Sequence, residues 1–198
     1  MFKNKNFLVF TLISALITIS LTACSSSGGS ASTASSNNKS TQNKDKVFEM
    51  YNKVKLGMTK DEVDAVMTVK PTAETNQYAV KNTFNYEDMN TGYGVSILYN
   101  DKNQAFSKTA IYGSHAVIAP FCAKPVTEAQ ADKITKDMAY QDVIKVLGGE
   151  GIECSNTGNE KDCVSIGVIR RWANSNGSCI QIVFSKDDKA GNVLFFKQ

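Results

Sequence analysis

The chain has 198 residues, 42% hydrophobic and 21% charged, with a formal net charge of +3. Lys3 and Lys5 supply part of that excess at the extreme N-terminus, and the remainder is close to neutral, so no basic field argues for nucleic acid. The single histidine and the lack of a glycine-rich phosphate loop argue against metal, general-base and nucleotide chemistry.

Met1 to Asn6 carries the two lysines, and Phe7 to Leu21 is an apolar run interrupted only by Ser and Thr. That is the layout of a signal peptide, and the run is short for a bilayer span, which needs about 20 apolar residues. It ends in Leu21-Thr22-Ala23-Cys24, which resembles a bacterial lipobox. The resemblance implies cleavage after residue 23, acylation of Cys24 and anchorage on the extracytoplasmic face of the cell membrane. Residues 24–46 are Ser-, Gly- and Asn-rich with scattered lysines. Such a composition cannot offset the entropy of ordering it, and it reads as a flexible tether spanning about 25 Å.

Of the five cysteines, Cys24 is assigned to lipid. Cys122, Cys154, Cys163 and Cys179 remain, an even number in an exported domain that reads as two disulfides with three possible pairings. No CxxC pair supports a metal site, and no cofactor is expected.

A self-comparison matches Val54 to Met67 with Ile134 to Leu147, apolar on apolar at 54/134, 58/138, 63/143, 66/146 and 67/147. Val95 to Asp101 matches Ile180 to Lys186, at a period of about 80 residues. The expected organisation is a signal peptide (1–23), a lipidated tether (24–46), a first repeat (47–118), a Pro-containing linker (119–126) and a second repeat (127–198). In the first repeat, Val47, Met50, Tyr51 and Val54 recur at helical spacing, and Gly57 closes that helix. Thr59-Lys60-Asp61-Glu62 is a capping box opening a second helix with Val63, Val66 and Met67 buried. Thr127 to Gln130 and Gly148-Gly149 bound the matching helices of the second repeat. Alternating segments then predict strands over 80–88, 95–100, 106–112, 164–172, 178–185 and 193–197. The expected fold is α+β: two tandem modules, each a helix-loop-helix packed on one face of an antiparallel sheet, with the other face open.

Gly57-Met58-Thr59-Lys60-Asp61-Glu62-Val63 resembles the Gly-Met-Thr-x-x-x-Val signature of the β-lactamase inhibitory proteins and of small outer-membrane lipoproteins of the SmpA/OmlA type. The resemblance covers the two repeats and implies a protein-binding surface formed by the sheets. It also implies a bridge from Cys154 to Cys163, leaving Cys122 with Cys179. The family's acidic and aromatic inhibitory residues are not present at the matching hairpins, where Asn90, two positions after Asp88, and Ser175-Asn176 stand. Binding without strong β-lactamase inhibition is therefore expected.

An enzyme is not expected. His115 has no nucleophile motif beside it, and Glu87 and Asp88 point to opposite faces of one strand. The candidate protein-binding residues are Tyr86, Asp88, Asn90, Tyr93, Arg170 and Trp172, because Tyr, Trp and Arg are enriched at binding hot spots. The function expected is a lipid-anchored module that binds a cell-wall or secreted enzyme. The alternative is a structural envelope lipoprotein in envelope assembly or maintenance.

Overall fold

The computed structural model describes residues 39–75 and 82–198, with side chains from Lys46 onward. The expected signal peptide, Cys24, the tether up to residue 38 and the start of the strand expected from residue 80 lie outside the described residues. Helix α1 (Lys39–Lys53) begins inside the stretch expected to be tether. Its Val47, Phe48 and Tyr51, with Val54 just beyond it, are buried, and the helix packs on β3 (Tyr93–Tyr99) and β4 (Ala105–Ile111). Gly57 turns the chain at φ +91°, a conformation that favours glycine.

Helix α2 (Lys60–Val66) starts on the expected capping box. Thr59 Oγ1 accepts from Glu62 N at 3.3 Å, and the Glu62 carboxylate accepts from Thr59 N at 2.8 Å, which satisfies two end donors reciprocally. Val63 is buried as expected, but Val66 is 39% exposed, so the buried face is narrower than its pattern. Thr127 and Gln130 form the second capping box, yet α3 (Glu128–Ala131) is a single turn. Helix α4 (Tyr140–Leu147) ends on Gly148 at φ +79°, a left-handed C-terminal cap. A 3₁₀ helix, His115–Phe121, lies between β4 and α3.

The remaining strands are β1 (Thr72–Ala73), β2 (Thr83–Asp88), β5 (Ile152–Gly158), β6 (Ser165–Ala173), β7 (Cys179–Ser185) and β8 (Ala190–Phe196). They join β3 and β4 in one eight-stranded antiparallel sheet whose spatial order is the chain order. The expected α+β pair of helix-loop-helix modules is thereby corrected. The protein is mostly β, a continuous meander carrying a few short helices.

The physical reason is β5, absent from the sequence-based expectation. It pairs with β4 through Ser107↔Thr157, Lys108↔Asn156 and Thr109↔Ser155 and with β6 along its length, joining the two halves into one sheet. Hydroxyl contacts of 2.9 Å, Ser107–Thr157 and Thr109–Ser155, link β4 to β5. A strand held by such polar cross-strand pairs shows no apolar alternation to read.

Directly paired residues share a face. Tyr86, Val95, Ile97, Lys108 and Ala110 point one way, and the register carries that face through Asn156 to Val168, Arg170 and Trp172, then to Ile180, Ile182 and Phe184. The α-helices cover this side. One core cluster surrounds Tyr51, Val63, Tyr86, Val95 and Ile97. The second joins Val143 and Leu147 of α4 to Trp172, Ile180, Ile182 and Phe184.

Candidate functional site

Two of the residues expected to touch a partner are unavailable to one. Tyr86 is 0% and Trp172 1% exposed, because strand alternation turns both toward the helices. Tyr86 Oη donates to Asp64 Oδ1 at 2.6 Å and lies 3.2 Å from Tyr99 Oη. The Trp172 indole N–H donates to Gly149 O at 2.8 Å, and its ring lies so close to Gly151 that a Cβ there would come within 2.6 Å. Both are core residues with satisfied polar tips, which corrects their assignment to the binding surface. Tyr93 is half-buried against the first core.

Asp88 and Asn90 occupy the β2–β3 turn. The Asp88 carboxylate accepts from Asn90 N at 2.9 Å and from Thr91 Oγ1 at 3.2 Å. The Asn90 backbone bond, with those from Thr91 and the Asn90 side chain, holds its carboxyl below the usual range. Asp88 is thus engaged within its own turn, while Met89 at the tip is 86% exposed.

Arg170 lies in a cleft of about 410 Å³ between α1 and β6, lined also by Tyr51, Lys108, Phe121 and Glu153. Tyr51 Oη donates to Glu153 Oε1 at 2.8 Å, and Arg170 Nη2 stands 3.5 Å from Glu153 Oε2. Arg170 also lies 4.7 Å from the centre of the Tyr140 ring. Burial, helped by the Glu153 charge and hydrogen bond, raises the Tyr51 phenol well above its ordinary value, so it remains a donor. Lys108 donates to Tyr51 O and Val54 O at 3.1 and 2.8 Å, closing carbonyls at the end of α1. Burial lowers its amine, against the pull of Glu153. Tyr51, Lys108 and Glu153 were not among the sequence candidates. The available signal was Lys108, which shares the inward face of β4 with Ala110.

Among the described residues no α-helix packs on the other side of the sheet. Asn85, Ser96, Thr109, Ser155, Ile169 and Val183 form one row across six strands. Most of these side chains are half-buried, and none is charged. One corner of this side is covered: the 3₁₀ helix packs on β6, and Ala173 and Cys179, facing away from Trp172, join the core that holds Ile118 and Phe121.

That corner also gathers Cys122, Cys154 and Cys179. Cys163 lies elsewhere, with Asn100 Nδ2 3.6 Å from its sulfur. Its carbonyl backs on Gly158, where a Cβ would come within 2.8 Å. Cys154 sits four positions along β5 from Gly158, roughly 13 Å at about 3.3 Å per residue. A bridge needs Cα atoms within about 7 Å, so this geometry does not bring Cys154 to Cys163 as the resemblance implied. Among the described residues no group of His, Cys, Asp and Glu is arranged to hold a metal ion. No family model and no curated protein matches the chain.

Proposed function

We propose that the chain is an exported, lipid-anchored binding protein that holds a protein partner of the extracytoplasmic space against the uncovered side of its sheet. The observation that carries the reading is the uncharged row from Asn85 to Val183, with half-buried aliphatic side chains at Ile169 and Val183. An uncharged row favours a partner held there by shape and apolar contact over a polyanion. Strands about 4.8 Å apart and about seven residues long make β2 to β8 roughly 29 by 23 Å, and the part left clear of the 3₁₀ helix is smaller than the ~800 Å² per partner of a standard interface. The N-terminal sequence supports the address, since Leu21-Thr22-Ala23-Cys24 follows a signal-peptide pattern.

A photo-crosslinking side chain at Thr109 or Ile169, compared with one at Lys133 on the helical side, tests the reading in intact cells. The same protein adduct from Thr109 and Ile169, and none from Lys133, is expected. Adducts confined to Lys133, or none from the sheet positions, would overturn it. Mass spectrometry should find lipid on Cys24, and an unmodified mature N-terminus elsewhere would remove the anchor.

A further inference from the structure

Three thiols meet where β5, β6 and β7 reach the 3₁₀ helix. Cys122 Sγ, just beyond that helix, accepts from Ala173 N at 3.3 Å, and Ala173 is the register partner of Cys179. Cys122 and Cys179 therefore flank a single rung of the β6–β7 ladder. Cys179 Sγ lies 3.1 Å from His115 Nδ1, at the opposite end of the same 3₁₀ helix. Cys154 Sγ accepts from Tyr112 Oη at 3.2 Å, and Tyr112 accepts in turn from Arg171 Nη1.

Arg171 is the second, independent observation. Its guanidinium is held by Gln181 Oε1 at 2.9 Å and by Tyr112. Among the described residues no carboxylate pairs with it, and Tyr112, Cys154, Cys179 and His115 are among the groups that interact with its charge. A cation largely removed from water favours an anion beside it, and thiols are the groups here that can become one. Arg171 acts on Cys154 and Cys179, but burial outweighs it and raises both thiols, so neither is the entry point for an external reagent.

We propose that Cys122, Cys154 and Cys179 form a thiol–disulfide exchange centre, in which Cys122 reacts with an external disulfide and Cys179 resolves the product while Cys154 stays reduced. Cys122 is the entry point because it is half-buried, whereas Cys154 and Cys179 are fully buried. The Cys122 thiol loses its proton to solvent, and its sulfur attacks one sulfur of the external disulfide, releasing the first thiol. Cys179 then passes its proton to His115 Nδ1 and attacks the Cys122 sulfur, releasing the second. The external disulfide takes up two electrons and leaves as two thiols, and one Cys122–Cys179 bond replaces two S–H bonds. Burial pushes the Cys179 thiol up to about 12, against the pull of Arg171, so it needs a base at the moment of attack. Cys154, on β5, accepts from Tyr112, while the described contacts of the His115 ring are with Cys179, Tyr112 and Phe196.

The test treats the folded full-length chain with oxidised glutathione and maps cysteines by mass spectrometry without reduction. Wild type should form a Cys122–Cys179 bridge, with Cys154 alkylated as a thiol only after denaturation. Cys179→Ser should accumulate glutathione on Cys122. His115→Gln should slow resolution by at least about tenfold and flatten its pH dependence, which a merely structural histidine would not do. The Cys154 alkylation is read on wild type, so the result does not depend on a core variant folding. Glutathione persisting on Cys122 of wild type, a bridge containing Cys154 or Cys163, or no reaction of the folded chain would each overturn the proposal.

Discussion

Glu153 and Arg170 face each other in register on β5 and β6, 3.5 Å apart, while Tyr51 of α1 donates to the other oxygen of the same carboxylate. The contact ties the N-terminal helix to a strand a hundred residues later in the chain. Glu153→Ala would leave a phenol and a guanidinium without their acceptor. A hydrogen bond to a charged group contributes about 1.5–3 kcal/mol, so urea unfolding should show a loss of about 2 kcal/mol. Tyr51→Phe, which removes one donor and leaves the ion pair, should cost about 1 kcal/mol. Equal losses in the two variants would show that the carboxylate does not join α1 to β6.

Trp172 is a core residue, and its replacement should be felt as such. Trp172→Ala should destabilise by about 3–5 kcal/mol, and Gly151→Ala, which forces a methyl group into the indole, by about 1–3 kcal/mol. Met89→Ala at the exposed β2–β3 tip should stay within about 0.5 kcal/mol. Thermal melts of the three variants separate the cases. A well-folded Trp172→Ala protein of wild-type stability would contradict the packing described for the second core.

The helix ends were legible because their chemistry is local. Thr59 with Glu62, Gly57 and Gly148 each act within one turn of chain, and the repeat pairs Val63/Val143 and Val54/Ile134 are buried in both halves. Strands with apolar alternation were legible to within a few residues. What the pattern could not carry was β5, where Ser155 and Thr157 meet hydroxyls on β4. Missing it made one sheet look like two. Tyr86 and Trp172 were misplaced for a related reason: residue type marks Tyr and Trp as contact formers, but only register decides which side of a sheet they face, and both are buried.

His115 is the chain's single histidine, so stability between pH 5.5 and 7 isolates it better than most proteins allow. Burial, reinforced by the Arg171 charge, lowers its affinity for a proton, against a hydrogen bond with the Gly177 backbone. The groups around it are Cys179 on β7, Arg171 on β6 and the rings of Tyr112 and Phe196. The unfolded chain binds the proton near the ordinary value of about 6.5, and the folded chain does so only at lower pH. Stability is therefore complete above about 6.5 and declines as pH falls below it, because the unfolded state then holds more protons. Denaturant midpoints at pH 7 and 5.5 should show this decline in wild type and a smaller one in His115→Gln. An identical slope in both would remove His115 as its source.

The uncovered side of the sheet makes the sharpest demand on the functional reading. Ile169 and Val183 are half-buried in adjacent register on β6 and β7, pointing away from Trp172 and Phe184. Each leaves part of its side chain to solvent, so a lysine there can extend its stem over the strands and keep its ammonium in water. Ile169→Lys and Val183→Lys should therefore leave the fold intact, with a stability change of about 1 kcal/mol or less. In a docked complex the same ammonium would be taken out of water, and burying an unpaired charge is strongly unfavourable. Each substitution should weaken capture of the crosslinked partner by at least about 1.4 kcal/mol, a tenfold change in affinity, with little dependence on salt. Lys145→Ala on the helical side, whose partner Asp142 is exposed, should leave capture unchanged. Capture that survives both sheet substitutions and falls with the helical one would move the binding surface to the other side of the molecule.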